Sequence, residues 1–112
     1  MNLKELRAKG AFVSAHPIKR TATWKTQEGE EVTFEVHIKR LSFGDYERLF
    51  LSESDDRSRM ARVLCETVRL GNDGKEPLPY EDAYQLESTL ARVLLEHVNN
   101  VNGIGEKADP KS

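Results

Sequence analysis

Val32, Phe34, Val36 and Ile38 alternate with Thr33, Glu35, His37 and Lys39. Strict period-2 alternation over eight residues predicts a strand with one buried face. Just upstream, Ile18, Ala22 and Trp24 alternate with Lys19, Thr21, Thr23 and Lys25. Arg20 interrupts that apolar set, which predicts an exposed or edge position for the strand's first half. Thr26-Gln27-Glu28-Gly29-Glu30-Glu31 joins the two runs with a polar, glycine-bearing connection. The pattern is a β-hairpin. A two-stranded hairpin is not stable alone, so its apolar face must pack on something else in the chain or on a second subunit.

The remaining sequence has helical spacing. Leu3 and Leu6 share a face of a short N-terminal helical piece that Gly10 ends. After Leu41 the period lengthens. Ser42 and Asp45 form a capping-box pair, and Phe43, Tyr46, Leu49 and Phe50 recur over about ten residues as a helix would place them. Ser54 is read as a second cap, with Asp55 and Asp56 favouring the positive end of the helix dipole. Asp55 and Arg59 make an i,i+4 pair on the outer face. Met60, Ala61, Leu64, Cys65 and Val68 form a core stripe. Gly71-Asn72-Asp73-Gly74 is a turn, and Glu76-Pro77-Leu78-Pro79 an extended linker. Pro79 opens a short helix around Tyr80, Ala83, Tyr84 and Leu86. Ser88 caps a last helix whose stripe is Leu90, Val93, Leu94, His97, Val98 and Val101, ending at Asn102-Gly103. The expected fold is therefore α+β: an N-terminal β-hairpin packed against a C-terminal part of three to four helices. With 112 residues, it is read as a single domain over 1–105 and a disordered polar tail over 106–112.

The chemistry-bearing residues do not assemble into a site. His16 precedes a proline, His37 lies on the polar strand face and His97 in the last helix. No pair has ligand spacing, so no metal or cofactor site is expected. Cys65 is the only cysteine and sits on an apolar stripe, which favours a buried, inert thiol over a nucleophile. The adjacent carboxylates Glu30-Glu31 and Asp55-Asp56 point in different directions and are explained by a turn and a helix start. No phosphate-loop, nucleophile-elbow or zinc-protease motif is present. No catalytic residue is assigned, and the chain is read as non-enzymatic. The absence of a long apolar run or a signal-peptide core predicts an intracellular chain that does not span a membrane.

Charge is mildly asymmetric, +3 over residues 1–42 and −5 over 43–112. His16, Lys19, Arg20 and Lys25 with Trp24 form the one cluster suited to nucleic acid. Alternation places Lys19 and Lys25 on the face opposite Trp24, which argues against it. What remains is surface for association. Trp24 and the last-helix residues Leu90, Leu94, Val98 and Val101 are the candidate partner-binding positions, although a core would use the same residues.

Three segments resemble the tail assembly chaperones of long non-contractile-tailed phages and prophages. These are the opening Leu3-Lys4-Glu5-Leu6-Arg7-Ala8-Lys9-Gly10-Ala11-Phe12, the Trp24-bearing hairpin ending in Lys39-Arg40-Leu41-Ser42, and the closing Leu94-Leu95-Glu96-His97-Val98-Asn99-Asn100-Val101-Asn102-Gly103. The resemblance implies a non-catalytic protein of the host bacterial cytoplasm that binds the tape measure protein and is absent from the mature virion. It implies a homo-oligomer. It also implies a tail tube protein contact made by a frameshifted longer form, of which a chain ending at Ser112 would be the short version. Two other readings compete: a small nucleic-acid-binding or regulatory protein using the basic hairpin, and a minor structural tail or head–tail joining protein.

Overall fold

The computed structural model describes residues 1–51 and 58–103. The expected Ser54 cap, the Asp55–Arg59 pair and the tail 106–112 lie outside these residues. The described residues form an α+β fold, with the N-terminal hairpin followed by the helices of the C-terminal part.

The hairpin is β1 (Ile18–Lys25) and β2 (Glu31–Ile38), antiparallel and in register from Ile18↔Ile38 to Lys25↔Glu31. Ala22, Val36 and Ile38 are fully buried, while Lys19, Thr21, Thr23 and Lys25 face outward. The alternation is thus realised as one buried and one wet face. Gly29 supplies the positive φ of the turn at 93°, a conformation that only glycine adopts cheaply.

The sheet is larger than a hairpin. Val68–Leu70 forms β3 and Glu76–Pro77 forms β4, giving four strands in the order β1-β2-β3-β4. Val68 is therefore not on the helical stripe where its spacing placed it. The helix before it ends at Thr67, and Val68 takes an extended conformation opposite Ile38. Thr67 and Val68 are β-branched and suit extended backbone. The Lys39 amide donates to the Thr67 carbonyl at 2.7 Å, which prolongs the β2–β3 pairing. The segment expected as an extended linker is extended, and it also pairs, Leu70 with Glu76 and Arg69 with Pro77. The predicted Gly71–Gly74 turn is the connection between these two short strands, closed by a Gly74 N–H to Gly71 carbonyl bond of 3.1 Å.

The helices are α1 (Leu3–Ala8), α2 (Phe43–Tyr46), α3 (Arg59–Thr67), α4 (Tyr80–Tyr84) and α5 (Ser88–Asn102). The Ser42–Asp45 capping box is formed, and α2 runs on as a π-helical turn over Glu47–Leu51. The widened turn buries Leu49 but leaves Phe43 75% exposed. The α3 cap is Ser58, whose hydroxyl accepts from the Ala61 amide. On α3, Ala61 and Leu64 are buried as expected. Val63 joins them, and Met60 is 57% exposed. Met60 has the azimuth of the core stripe but lies in the first turn, at the rim of the packed layer. At α5, Glu87 and not Ser88 is the cap. Its carboxylate accepts from the Thr89 amide and hydroxyl, and a charged acceptor competes well with a serine hydroxyl at the positive end of a helix. Gly103 ends α5 at φ 65°, as its sequence predicts.

Helix α5 lies across the buried face of the hairpin and runs antiparallel to β1. Trp24 Nε1 near the end of β1 donates to Thr89 Oγ1 at 2.9 Å, and Arg20 nearer its start reaches Asn100 Oδ1 at 3.4 Å. One apolar core joins Val36 and Ile38 of the sheet to Leu49, Leu64, Leu94 and Val98 of the helical layer.

Candidate functional site

The five positions expected to bind a partner divide into two groups. Leu94 and Val98 are 2% and 0% exposed. They hold α5 on the sheet, and a partner could reach them only if α5 left it. Trp24, Leu90 and Val101 are half-buried and lie along the seam between α5 and its neighbours. The indole of Trp24 is anchored by Thr89, so the ring sits on the α5 side of β1. Lys19 is on the opposite side, 3.6 Å from Glu35. Arg20 is half-buried toward α5 and separated from Lys19 by the sheet. The basic cluster proposed for nucleic acid is therefore split between two faces, and Trp24 offers no stacking surface to the basic one.

Histidines and the cysteine are dispersed. His16 is exposed, and His97 lines an open cleft of about 500 Å³ with Arg20, Glu96, Asn99 and Asn100. His37 faces the Gly71–Gly74 turn, and its Nδ1 is buried without a hydrogen-bond partner. Cys65, expected to be buried, is half-buried and edges a pocket of about 150 Å³ with Arg48, Arg62, Glu66 and Tyr80. Among the described residues, no group of three His, Cys, Asp or Glu side chains could hold a metal ion, and no helix is long and apolar enough to cross a membrane.

The electrostatic centre of the helical part is an arginine between two carboxylates. Arg48 donates to both oxygens of Glu66 at 2.8 and 3.0 Å and to Asp45 at 3.1 Å. Those bonds hold the Glu66 carboxyl below its ordinary value, against the opposing effect of partial burial. For Asp45, burial pushes upward, and the bonds from Arg48 and Ser42 together outweigh it, leaving the group lowered. The network ties the α2 segment to α3. Both carboxylates of the network are thus moved away from neutral pH, where a general acid or base would titrate.

Several large apolar side chains are exposed. Leu3, Phe12, Phe43, Leu51, Met60 and Tyr84 are between 47% and 75% exposed. Met60 and Tyr84 flank a groove of about 250 Å³ between α3, α4 and α5, floored by Ala61, Leu64, Ala91 and Leu95. A second cleft, of about 390 Å³, lies where Gly10–Val13 meets Leu41 and the end of α5. Neither groove was foreseen from the sequence, because Met60 and Tyr84 occupy positions that helical spacing assigns to packing.

The sequence profile of the family described as phage tail assembly chaperone, TAC, matches residues 4–102. The chain belongs to the phage tail assembly chaperone family. The match spans the hairpin, the groove between α3, α4 and α5, and all of the five helices except Leu3. A TAC is an assembly factor, and an accessible apolar surface on a well-capped scaffold suits that role. No curated protein and no solved structure gives a significant match.

Proposed function

We propose that this TAC binds the tape measure protein in the host bacterial cytoplasm, without catalysis, and keeps it soluble until tail tube subunits assemble around it. The family match over residues 4–102 carries this reading, and the exposed apolar side chains support it. A long client with apolar helical segments needs many modest contacts that can be released. Exposed side chains outside the groove between α3, α4 and α5, such as Phe43 and Leu51, provide contacts of that strength. The half-buried Trp24, Leu90 and Val101 border the contact surface, and Leu94 and Val98 maintain the helix that presents it. The chaperone self-associates, contacts the tail tube protein through a longer frameshifted form, and is not carried in the finished particle.

The test is co-purification with the tape measure protein of the same phage from cells making both. Retention of the complex at high salt is the expected result, since apolar association does not weaken as salt rises whereas phosphate-type electrostatic binding does. Recovery of the chaperone alone would overturn the reading.

A further inference from the structure

Every residue from Met1 to His16 is exposed. Yet this arm is locally organised. Asn2 and Glu5 close a capping box on α1, the Ala11 amide donates to the Leu6 carbonyl at 3.0 Å, and Arg7 lies 4.4 Å over the Phe12 ring. A six-residue helix does not persist in water on its own. The arm therefore has the shape of a docked element, and Leu3, Leu6, Phe12 and Val13 are its uncovered apolar residues.

The same chain carries an apolar groove with no occupant, the one between α3, α4 and α5. Charge matches the two. The arm holds Lys4, Arg7 and Lys9 against Glu5, while the α4 wall and its exit hold Glu81, Asp82 and Glu87 with no base. Arg59 and Arg62 on α3 and Arg92 on α5 charge the other walls positively, so the arm's bases belong on the α4 side. Within one chain the two features are separated along α5. The arm's root sits by Asn100–Gly103 and the groove by Ser88, Ala91 and Leu95, about 15 Å apart at 1.5 Å per residue.

We propose that the arm of one copy seats Leu3 and Leu6 in the α3–α4–α5 groove of a second copy, with Lys4 and Lys9 facing Glu81 and Asp82. The inference does not rest on the identity of the client. It gives self-association a defined contact, made reciprocally in a closed pair or head to tail.

The experiment is light scattering on the full chain across a concentration series, combined with zero-length carbodiimide cross-linking of an equal mixture of isotopically light and heavy protein. The expected result is association above monomer mass and Lys4 or Lys9 joined to Glu81 or Asp82 in light–heavy pairs. Leu3→Asp with Leu6→Asp, at exposed positions that leave the core intact, weakens association about tenfold or more. Glu81→Lys with Asp82→Lys weakens it too, and adding Lys4→Glu with Lys9→Glu to that chain restores it. A monomer at every concentration overturns the proposal, as does association indifferent to Leu3 and Leu6. Cross-links confined to light–light and heavy–heavy pairs would place the arm on its own groove. Arm protection seen only with tape measure protein present would make the occupant the client. Either result overturns the proposal.

Discussion

Gly74 has no room for a side chain. At its φ of 70°, a Cβ would lie 2.5 Å from Cγ of His37. Gly74→Ala is expected to cost about 2 kcal/mol or more, from left-handed strain plus the clash. Adding His37→Ala should return the clash component and leave the backbone component, a non-additivity that urea unfolding of the four cycle members will measure. Asn102 is the other residue with a specific structural role. Its side chain accepts from the Leu41 amide at 2.7 Å and donates to the carbonyls of Val98 and Lys39 at 3.0 and 3.3 Å. Asn102→Ala should cost about 1–3 kcal/mol, because the Leu41 amide loses its partner in a part-buried setting. At Arg48 the expected effect depends on pH. Glu66 and Asp45 are both lowered in the folded chain. Their stabilisation is present above the ordinary carboxylate values of 4.5 and 3.8 and is lost as pH falls through the lowered values. These side chains are partly exposed, so the contribution is about 1 kcal/mol or less. Arg48→Gln should lower stability near neutral pH and flatten the acid limb of a stability–pH profile. An unchanged limb would mean that the network contributes nothing.

Elements were legible where they were long enough to show a period. Eight residues of alternation announced β2, a broken alternation announced β1, and the stripe and terminal glycine of α5 announced a helix ending at Gly103, although its first cap is Glu87 and not the expected Ser88. Strands of three and two residues have no period to read. Val68 was consequently assigned to a helix by its spacing from Leu64, and only pairing with Ile38 reveals it as sheet. The candidate binding residues were read from the same kind of stripe, which does not say what covers it. A stripe reports the azimuth that faces the core, so Leu94 and Val98 were certain to be apolar contacts, and this chain itself supplies the partner. Truncating them tests that assignment. Leu94→Ala should cost about 2–5 kcal/mol and Val98→Ala somewhat less, by lost burial and cavity formation. Substitution of the exposed Tyr84 by serine should leave thermal stability within about 0.5 kcal/mol of the parent. Circular-dichroism melts separate the two classes.

At the scale of the whole molecule, the sheet and α5 carry much of the core, and large exposed apolar residues sit on the N-terminal arm, on the α2 segment at Phe43 and Leu51, and beside the α3–α4–α5 groove at Met60 and Tyr84. The resemblance read from the opening segment, the hairpin and the closing helix pointed to the family that the profile match establishes. Exposure of the arm was not readable, since Leu3 and Leu6 have the spacing of any docked helical turn, and spacing does not say whether a docking face exists in the same chain. The division of labour between core and arm predicts that binding and stability can be altered separately. Variants at Leu94 and Val98 should lose client binding only in proportion to unfolding, whereas variants at the exposed Phe43 and Leu51 should lose it while folded. The most direct measurement is the soluble fraction of the tape measure protein of the same phage, produced with and without this chaperone and fractionated at high salt. The account predicts that the client moves from the pellet to the supernatant in complex with the chaperone. A client that stays in the pellet beside soluble, folded chaperone would contradict it.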